Sequence, residues 1–469
     1  MESESMENYS RIVQDDSATI SSVPSTPGLT GSTKFNPEPY GSSPRSTPIA
    51  STAAITALFQ THRFDTISAR FGPLLRKFLG NRYAILIAAG FAAAIAWNGT
   101  FATIPLSLIA PLLVYQAKSR WQAYALMFCY YAVAGAPLIR GARAFFGDQG
   151  TPLIGVFLCI AAALLLALPW GLFFSRSRKI AMWLVPMCVL FAAIPPLGVI
   201  GWASPLLSAG VLFPGTGWFG LAFVVIFLSL FRLRPGWSVV VLVLCSLVAH
   251  ICYTEPLPPE GWAAIDTHYG GAGQGEPNFT TEFTTHQSIQ ETILKSKAVV
   301  LLFPEHLVSH WNEATDAFWV STLTTAAAQH RTVLIGAGIS MPATTRNPFG
   351  QNRFQNVLLA RGQENDKAYQ ERIPIPIGMW KPFGTDGVPL NLLGRGTILV
   401  RDQKAAVLIC YEQLLVWPFL SSALEHPTIL LTSSNDYWAR NTRIPEIQRS
   451  SAKSWVRLFH LPMLSATNF

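Results

Sequence analysis

Hydrophobic and polar positions follow two different patterns along the chain, and the pattern changes near residue 254. The first part contains long, nearly uninterrupted apolar segments at 83–97, 101–117, 121–138, 152–174, 180–201, 217–231 and 238–253. A helix that crosses a bilayer needs about 20 such residues. We therefore predict a membrane domain over 61–253 with about seven transmembrane helices. Counts of six or eight also fit, because the first two segments are short and are separated only by Asn98-Gly99-Thr100.

The second part alternates short apolar runs with amphipathic stretches, which is typical of α/β layers. The pattern predicts strands at 298–303, 332–335, 397–400, 405–410 and 428–431, and helices at 313–329, 411–422 and 446–459. This indicates a second domain over 255–469. Residues 1–60 are rich in Ser, Thr and Pro and show neither a helical nor a strand period of apolar residues, so they are predicted to be disordered.

Charge supports the membrane assignment and gives an orientation. Only 13% of the residues are charged, against about 25% in ordinary soluble domains. Asp148 is the only acidic residue between Tyr83 and Tyr253. Basic residues gather before the first apolar segment and after the second, fourth and sixth, so the positive-inside rule places those loops in the cytoplasm. Seven spans would then put 255–469 on the outer side, which in a bacterium is the periplasmic side of the inner membrane.

The net charge of +8 does not indicate nucleic acid, because the only Lys/Arg cluster, SRSRK at 175–179, lies between two apolar segments. We expect no direct nucleic-acid binding. The loop SPLLSAGVLFPGTGWFG, 204–220, is rich in Gly and Pro but apolar. Irregular backbone at membrane depth must be covered by protein or line a cavity. Two interpretations remain open here: a re-entrant or lipid-facing cleft, and an ordinary loop.

Two predicted strands end at residues that can carry chemistry. AVVLLFPEHL, 298–307, places Glu305 just after a buried strand, and AAVLICYEQLL, 405–415, places Cys410 at the end of another. Catalytic groups are common at the carboxyl ends of such strands. A cysteine nucleophile needs a base, and a buried glutamate can serve as one. The alternatives are a cysteine that only fills the core and a glutamate that is solvated in a loop.

No metal or cofactor is expected. His306 and His310 are four residues apart, but the HExxH order is absent and no third ligand is evident. The sequence has no phosphate-binding loop and no dinucleotide fingerprint. The other five cysteines lie in or at the ends of apolar segments, so neither a disulfide framework nor a CxxC site is predicted in the second domain.

These motifs, taken in order, resemble the nitrilase (C–N hydrolase) superfamily. The resemblance rests on Pro304-Glu305, Ile409-Cys410-Tyr411-Glu412 and TSSNDYW at 432–438. A helical membrane domain ahead of them resembles apolipoprotein N-acyltransferase. RIPIPIGMWKPF, 372–383, and FPGTGWFG, 213–220, resemble more closely a membrane-bound branch of the superfamily that serves conjugal plasmid transfer. The resemblance implies a multi-pass membrane domain followed by a nitrilase-like αββα sandwich.

The resemblance also implies roles for particular residues. Glu305 corresponds to the general base, Cys410 to the nucleophile and Glu412 to a supporting acid. The family's lysine pattern, Tyr-x-Lys-x-x-Leu-x-Pro, falls on YQERIPIP at 369–376, where Glu371 stands at the lysine position. Arg372, one residue on, is the tentative substitute, although an arginine stays charged and cannot shuttle a proton.

The implied function is thioester chemistry on an amide or acyl substrate during conjugal transfer. One alternative is transfer of a phospholipid acyl chain to a lipoprotein. The other is a catalytically inactive scaffold of the conjugation apparatus. The expected partners are membrane lipid and either a lipoprotein or proteins of that apparatus. The family's final strands have no counterpart after Asn468, so a truncated C-terminus is also expected.

Overall fold

The first part of the chain is mostly helical, and each predicted apolar segment contains at least one helix. The computed structural model describes residues 81–146, 152–270, 279–343, 347, 353–364 and 367–469, so the predicted disordered extension, 1–60, lies outside the described residues. A 3₁₀ helix, Phe101–Leu108, leads directly into α2. The helices of this part are α1 (Arg82–Ala96), α2 (Ile109–Val114), α3 (Arg120–Phe146), α4 (Pro152–Leu172), α5 (Arg178–Ala193), α6 (Ser208–Leu212), α7 (Trp218–Phe231) and α8 (Pro235–Cys252).

Three of these helices, α3, α4 and α8, are long and apolar enough to cross a membrane. The other helices are shorter, so the predicted count of seven spans is not confirmed. Proline explains one difference: the apolar segment 180–201 is helical only to Ala193, and Pro195 and Pro196 follow. A proline disfavours helix in the residue before it and cannot donate to the helix. Apolar side chains of α8, such as Val243 and Ile251, are exposed along its length, which is compatible with membrane association.

The second part contains two sheets. The first has the order β1–β2–β3–β4–β5, with β1, β2 and β3 parallel and β4 and β5 antiparallel to their neighbours. The second has the order β6–β7–β8–β9, with β7, β8 and β9 parallel. The strands are β1 (Trp262–Ala264), β2 (Val300–Leu302), β3 (Thr332–Ser340), β4 (Phe354–Gly362), β5 (Lys367–Gln370), β6 (Thr397–Val400), β7 (Gln403–Ile409), β8 (Ile429–Asn435) and β9 (Met463–Asn468).

The two sheets pack face to face between two helical layers. Side chains alternate across a strand, so Val300 and Leu302 of β2 join the core that also holds Val407 of β7. Leu301 and Phe303 point to the other side. The outer helices are α9 (Phe279–Lys295) and α10 (Glu313–Ala328) on the first sheet, and α11 (Val416–Ala423) and α12 (Ile444–Phe459) on the second. The predicted α/β layering is therefore confirmed.

Most predicted strands and helices occur at the predicted positions, but their lengths often differ from the prediction. The strand predicted at 397–400 has the observed bounds, whereas the strand predicted at 298–303 forms only over 300–302. The helix predicted at 411–422 is instead a 3₁₀ turn, Cys410–Leu414, followed by α11. Strands β1, β4 and β5 and helix α9 were not predicted. The polar residues of β4, FQNVLLARG, obscure its period of two, and β1 is only three residues long.

The loop 204–220 lies against protein rather than lipid over its first half, since residues 204–210 are buried. Its backbone contacts α12: the N–H groups of Gly215 and Gly217 donate to the carbonyl oxygens of Arg457 and Leu458, both at 2.7 Å. A Cβ at Gly210 would overlap the main-chain oxygen of Ser454, so only glycine allows this approach. One hydrophobic core joins the helical part to α12, and backbone N–H groups of the loop find hydrogen-bond acceptors at that junction.

Candidate active site

The structure brings together the two residues that the sequence singles out. Glu305 follows β2 in the first sheet, and Cys410 follows β7 in the second, each at the carboxyl end of a parallel strand. The Cys410 thiol lies beside the Glu305 carboxylate, close enough for each group to shift the pKa of the other. Both side chains are buried, with 4% of Glu305 and 2% of Cys410 exposed. The pair therefore lies in a closed crevice where the two sheets meet.

The Glu305 carboxylate is held from two further directions. The side-chain amide of Asn356 in β4 donates to Oε1 at 2.6 Å, and the backbone N–H of Asn435 donates to Oε2 at 3.0 Å. The turn that carries Glu305 passes so close to Gly336 that a Cβ there would overlap its backbone. Burial raises the pKa of Glu305 to about 7, despite these donors. A carboxylate with that pKa can accept a proton near neutral pH.

Cys410 occupies a strained backbone position at the start of the 3₁₀ turn, with φ of 42°. Such conformations cost about 1–3 kcal/mol in a residue other than glycine and are concentrated at functional sites. Gln448 of α12 donates to the Cys410 carbonyl oxygen at 3.0 Å. Burial, together with the nearby charges of Glu305 and Asp436, raises the pKa of the thiol well above its usual value. The sulfur is therefore protonated at rest and needs a base during attack.

Glu412 fixes the turn that carries the thiol. Its Oε2 accepts hydrogen bonds from the Ile409 backbone N–H at 3.0 Å and from the Tyr369 hydroxyl at 2.8 Å. Its Oε1 accepts from the Arg372 backbone N–H at 3.0 Å and from the Arg372 Nε at 3.3 Å. All of these groups are buried. The carboxylate thus ties the end of β7 to the segment after β5.

Arg372 is directed away from the thiol. Besides Glu412 and Tyr369, its guanidinium donates to the hydroxyls of Ser421 and Ser422 at 2.8 and 3.0 Å, and to the carbonyl of Pro418 at 2.9 Å. Every hydrogen bond described for this side chain joins it to Glu412, Tyr369 or α11. If Arg372 replaced the family's lysine, its guanidinium would have to lie at Cys410. The observed hydrogen bonds do not place it there.

Glu371, which stands at the lysine position, is the residue that enters the crevice. Its side chain is completely buried, and its Oε2 accepts from the same Asn356 amide nitrogen, at 2.9 Å. Burial raises the pKa of Glu371 well above its usual value, and the neighbouring Glu305 and Glu412 raise it further. Asp436, just after β8, has its pKa raised to about 7 by burial and by Glu305. The crevice is therefore rich in acids.

Sequence reasoning missed Asn356, Asp436 and Gln448 as residues of the site. A usable signal existed for Asn356, because it directly precedes the apolar run VLLA in β4, and an asparagine buried with such a run needs polar partners. The candidate metal ligand His306 is half-buried and stacks on Phe354, with ring centroids 5.4 Å apart. Among the described residues, no group of three His, Cys, Asp or Glu side chains is arranged to hold a metal ion.

Comparison with known proteins finds that the chain is similar to proteins of conjugal transfer. No protein-family model matches it. It is 28% identical over 399 residues to a probable conjugal transfer protein TraB of Sinorhizobium fredii, covering 82% of this chain and 97% of the relative. It is also 28% identical over 408 residues to the conjugal transfer protein TraB of Agrobacterium fabrum, covering 82% and 93%. The chain is a homologue of TraB conjugal transfer proteins. The resemblance to proteins of conjugal transfer is therefore confirmed.

Solved structures give a weaker likeness, to nitrilase-superfamily members. An amidase from Nesterenkonia sp. AN1 is 12% identical, with a TM-score of 0.30, over 44% of this chain and 78% of that one. A carbon–nitrogen hydrolase from Helicobacter pylori is also 12% identical, with a TM-score of 0.31, over 44% and 73%. At these scores the likeness does not by itself establish a shared fold.

Proposed function

We propose that this protein is a membrane-embedded enzyme of the nitrilase type that acts in conjugal plasmid transfer. The observation that carries the proposal is the buried pairing of the Cys410 thiol with the Glu305 carboxylate, which lie beside each other where the two sheets meet. A cysteine that only filled the core would not need a carboxylate, since an unpaired buried charge is costly. Homology to the TraB proteins supports the biological setting.

The proposed reaction begins with attack of sulfur on the acyl carbon of an amide or acyl substrate. As the C–S bond forms, the thiol proton passes to Glu305, and the carbonyl electron pair moves to oxygen. When the tetrahedral intermediate collapses, the C–N or C–O bond breaks and Glu305 returns its proton to the leaving group. A water or an amine then resolves the thioester on Cys410. Glu412 holds the nucleophile turn in place throughout these steps.

We propose a periplasmic position for this site, in a multi-pass protein of the inner membrane. The distribution of Lys and Arg in the sequence supports that orientation, and three helices have the length and composition to span. Cys252 ends α8 and is exposed. A membrane-impermeant maleimide should therefore label Cys252 in intact cells. Labelling only after cell lysis would contradict the orientation and leave the proposed chemistry untouched.

The chemistry is tested with the full chain in detergent, using p-nitrophenyl acetate as a small acyl donor. The wild type should release p-nitrophenolate in a burst of one equivalent and gain one acetyl group on Cys410, as detected by mass spectrometry. Cys410→Ala and Glu305→Gln should abolish the burst. Cys252→Ala, which removes an exposed thiol, is the matched control and should retain it. A burst that survives Cys410→Ala would contradict the proposal.

The second candidate is an inactive scaffold of the conjugation apparatus. It is favoured by one observation: the guanidinium of Arg372 is bonded to Glu412 and α11, and no lysine stands at the family's position. Plasmid transfer frequency separates the two functions. If the protein acts as an enzyme, Cys410→Ala should lower the transfer frequency as strongly as deletion of the gene does. A scaffold requires that Cys410→Ala transfer at the wild-type frequency.

A further inference from the structure

Glu305 and Glu371 share one hydrogen-bond donor, but they are not held equally. The Asn356 amide nitrogen lies 2.6 Å from Glu305 Oε1 and 2.9 Å from Glu371 Oε2. Glu305 also receives the backbone N–H of Asn435, and the Cys410 thiol lies beside it. Glu371 receives nothing further: its Oε1 atom is buried and has no hydrogen-bond partner among the described residues. Glu305 thus has two hydrogen-bond donors and Glu371 has one.

This inequality decides where a shared proton resides. Two carboxylates that face one amide in a buried crevice cannot both be ionised, because like charges and desolvation oppose it. Donors stabilise the ionised form, so the negative charge stays on Glu305 and the proton stays on Glu371. The oxygen that carries the proton is Oε1, since Oε2 already accepts from Asn356. Glu371 then presents a buried O–H group that has no acceptor.

We infer that Glu371 is the oxyanion donor of this site, with its neutral carboxylic acid replacing the ammonium group of a lysine. The inference rests on the proposed thioester chemistry at Cys410. A carboxylic acid kept neutral by its surroundings can serve as a hydrogen-bond donor to a developing oxyanion. The unpartnered O–H would find its acceptor only when a substrate carbonyl enters the crevice. The raised pKa of Glu371 agrees with this protonation state.

The charge balance of the step is consistent with a neutral donor. Before attack, Glu305 carries one negative charge, and Cys410 and Glu371 are neutral. During attack the thiol proton moves to Glu305 and one negative charge appears on the substrate oxygen, where the Glu371 O–H donates to it. The summed charge of these three residues and the substrate stays at minus one throughout. A neutral donor keeps Glu305 free to act as the base, whereas an ionised Glu371 would repel the oxyanion.

The test compares two replacements of Glu371 in the acylation assay. Glu371→Gln keeps an N–H donor of similar shape, and Glu371→Leu removes the donor. Removing one oxyanion donor costs about 10²–10³ in rate, so Glu371→Leu should slow the p-nitrophenyl acetate burst by about 10²-fold. Glu371→Gln should stay within about tenfold of the wild type, or about 1.4 kcal/mol. Equal rates in the two variants would overturn the inference.

The pH profile provides a readout that a merely structural role would not change. The wild-type acylation rate should fall at alkaline pH, where Glu371 ionises and its O–H is lost. Glu371→Gln should lack this alkaline fall, because an amide does not ionise in that range. An alkaline fall that persists in Glu371→Gln would overturn the inference. This comparison holds even where Glu371→Leu does not fold.

Infrared spectroscopy tests the protonation state without any substrate. The wild type at neutral pH should show the C=O stretch of a protonated carboxylic acid that Glu371→Gln lacks and Cys410→Ala retains. If that band is absent from the wild type, Glu371 is ionised and the inference fails, whatever the acylation result. If the band is present but the wild type gives no burst, the proposed thioester function fails instead. The two failures are therefore distinguishable.

Discussion

The buried ion pair between Arg372 and Glu412 gives the sharpest prediction about stability. Only 2% of the Arg372 side chain and none of the Glu412 side chain is exposed, and the Nε to Oε1 distance is 3.3 Å. We consider the change Glu412→Gln, which keeps the shape and removes the charge. The arginine then stays charged in a buried position without a counter-ion, since a guanidinium does not lose its proton in proteins.

The hydrogen bonds around Glu412 give the magnitude. Each oxygen accepts two bonds, so the Gln amide group must face two donors in either orientation. In the less costly orientation the Tyr369 hydroxyl rotates, but the Ile409 backbone N–H is left unpaired, which costs about 1–3 kcal/mol. Breaking a buried ion pair costs about 3–5 kcal/mol in total. We therefore expect Glu412→Gln to destabilise the protein by about 3–5 kcal/mol.

Thermal unfolding of the detergent-solubilised protein measures this effect. A loss of that size lowers the Tm by about 6–20 °C for a domain of some 200 residues. The matched control is Glu291→Gln, which removes the exposed i,i+4 pair with Lys295 and should cost at most about 0.5 kcal/mol. Equal melting temperatures for the two variants would refute the reasoning. Glu412→Gln should also slow acylation, because Ile409 directly precedes Cys410.

Three further predictions concern the site and the junction with the helical part. Because burial raises the pKa of Glu305 to about 7, and only its ionised form is a base, the acylation rate of Cys410 should rise about tenfold between pH 6 and 8; a flat profile would contradict this. Asn356→Leu removes a donor that lowers the pKa of Glu305, so the midpoint of that profile should move to higher pH; an unchanged midpoint would show that the amide is not coupled to the base. Gly210→Val should lower the Tm, because a Cβ there overlaps the backbone of α12, whereas Gly236→Ala, with nothing within 4 Å, should not; equal effects would mean that the loop does not pack on α12.

The sequence by itself determined the local features of this protein. Continuous apolar segments predicted the helical part, because a long run that is apolar on all sides favours a helix. A period of two or of 3.6 gave several strands and helices of the α/β part, because side-chain direction follows backbone geometry. The strand ends identified Glu305 and Cys410, because an ionisable residue at the end of a buried run stands out against its apolar neighbours.

The tertiary structure decided what depends on distant residues. It placed Asn356 of β4 between Glu305 and Glu371, which lie 51 and 15 residues away along the chain. It turned Arg372 toward α11 and Glu371 toward the thiol. Successive side chains leave the backbone in different directions, so the sequence alone does not show which of these two neighbours enters the site. The protonation of the buried acids was also decided there, since burial and shared donors, rather than residue type, set which carboxyl group keeps its proton.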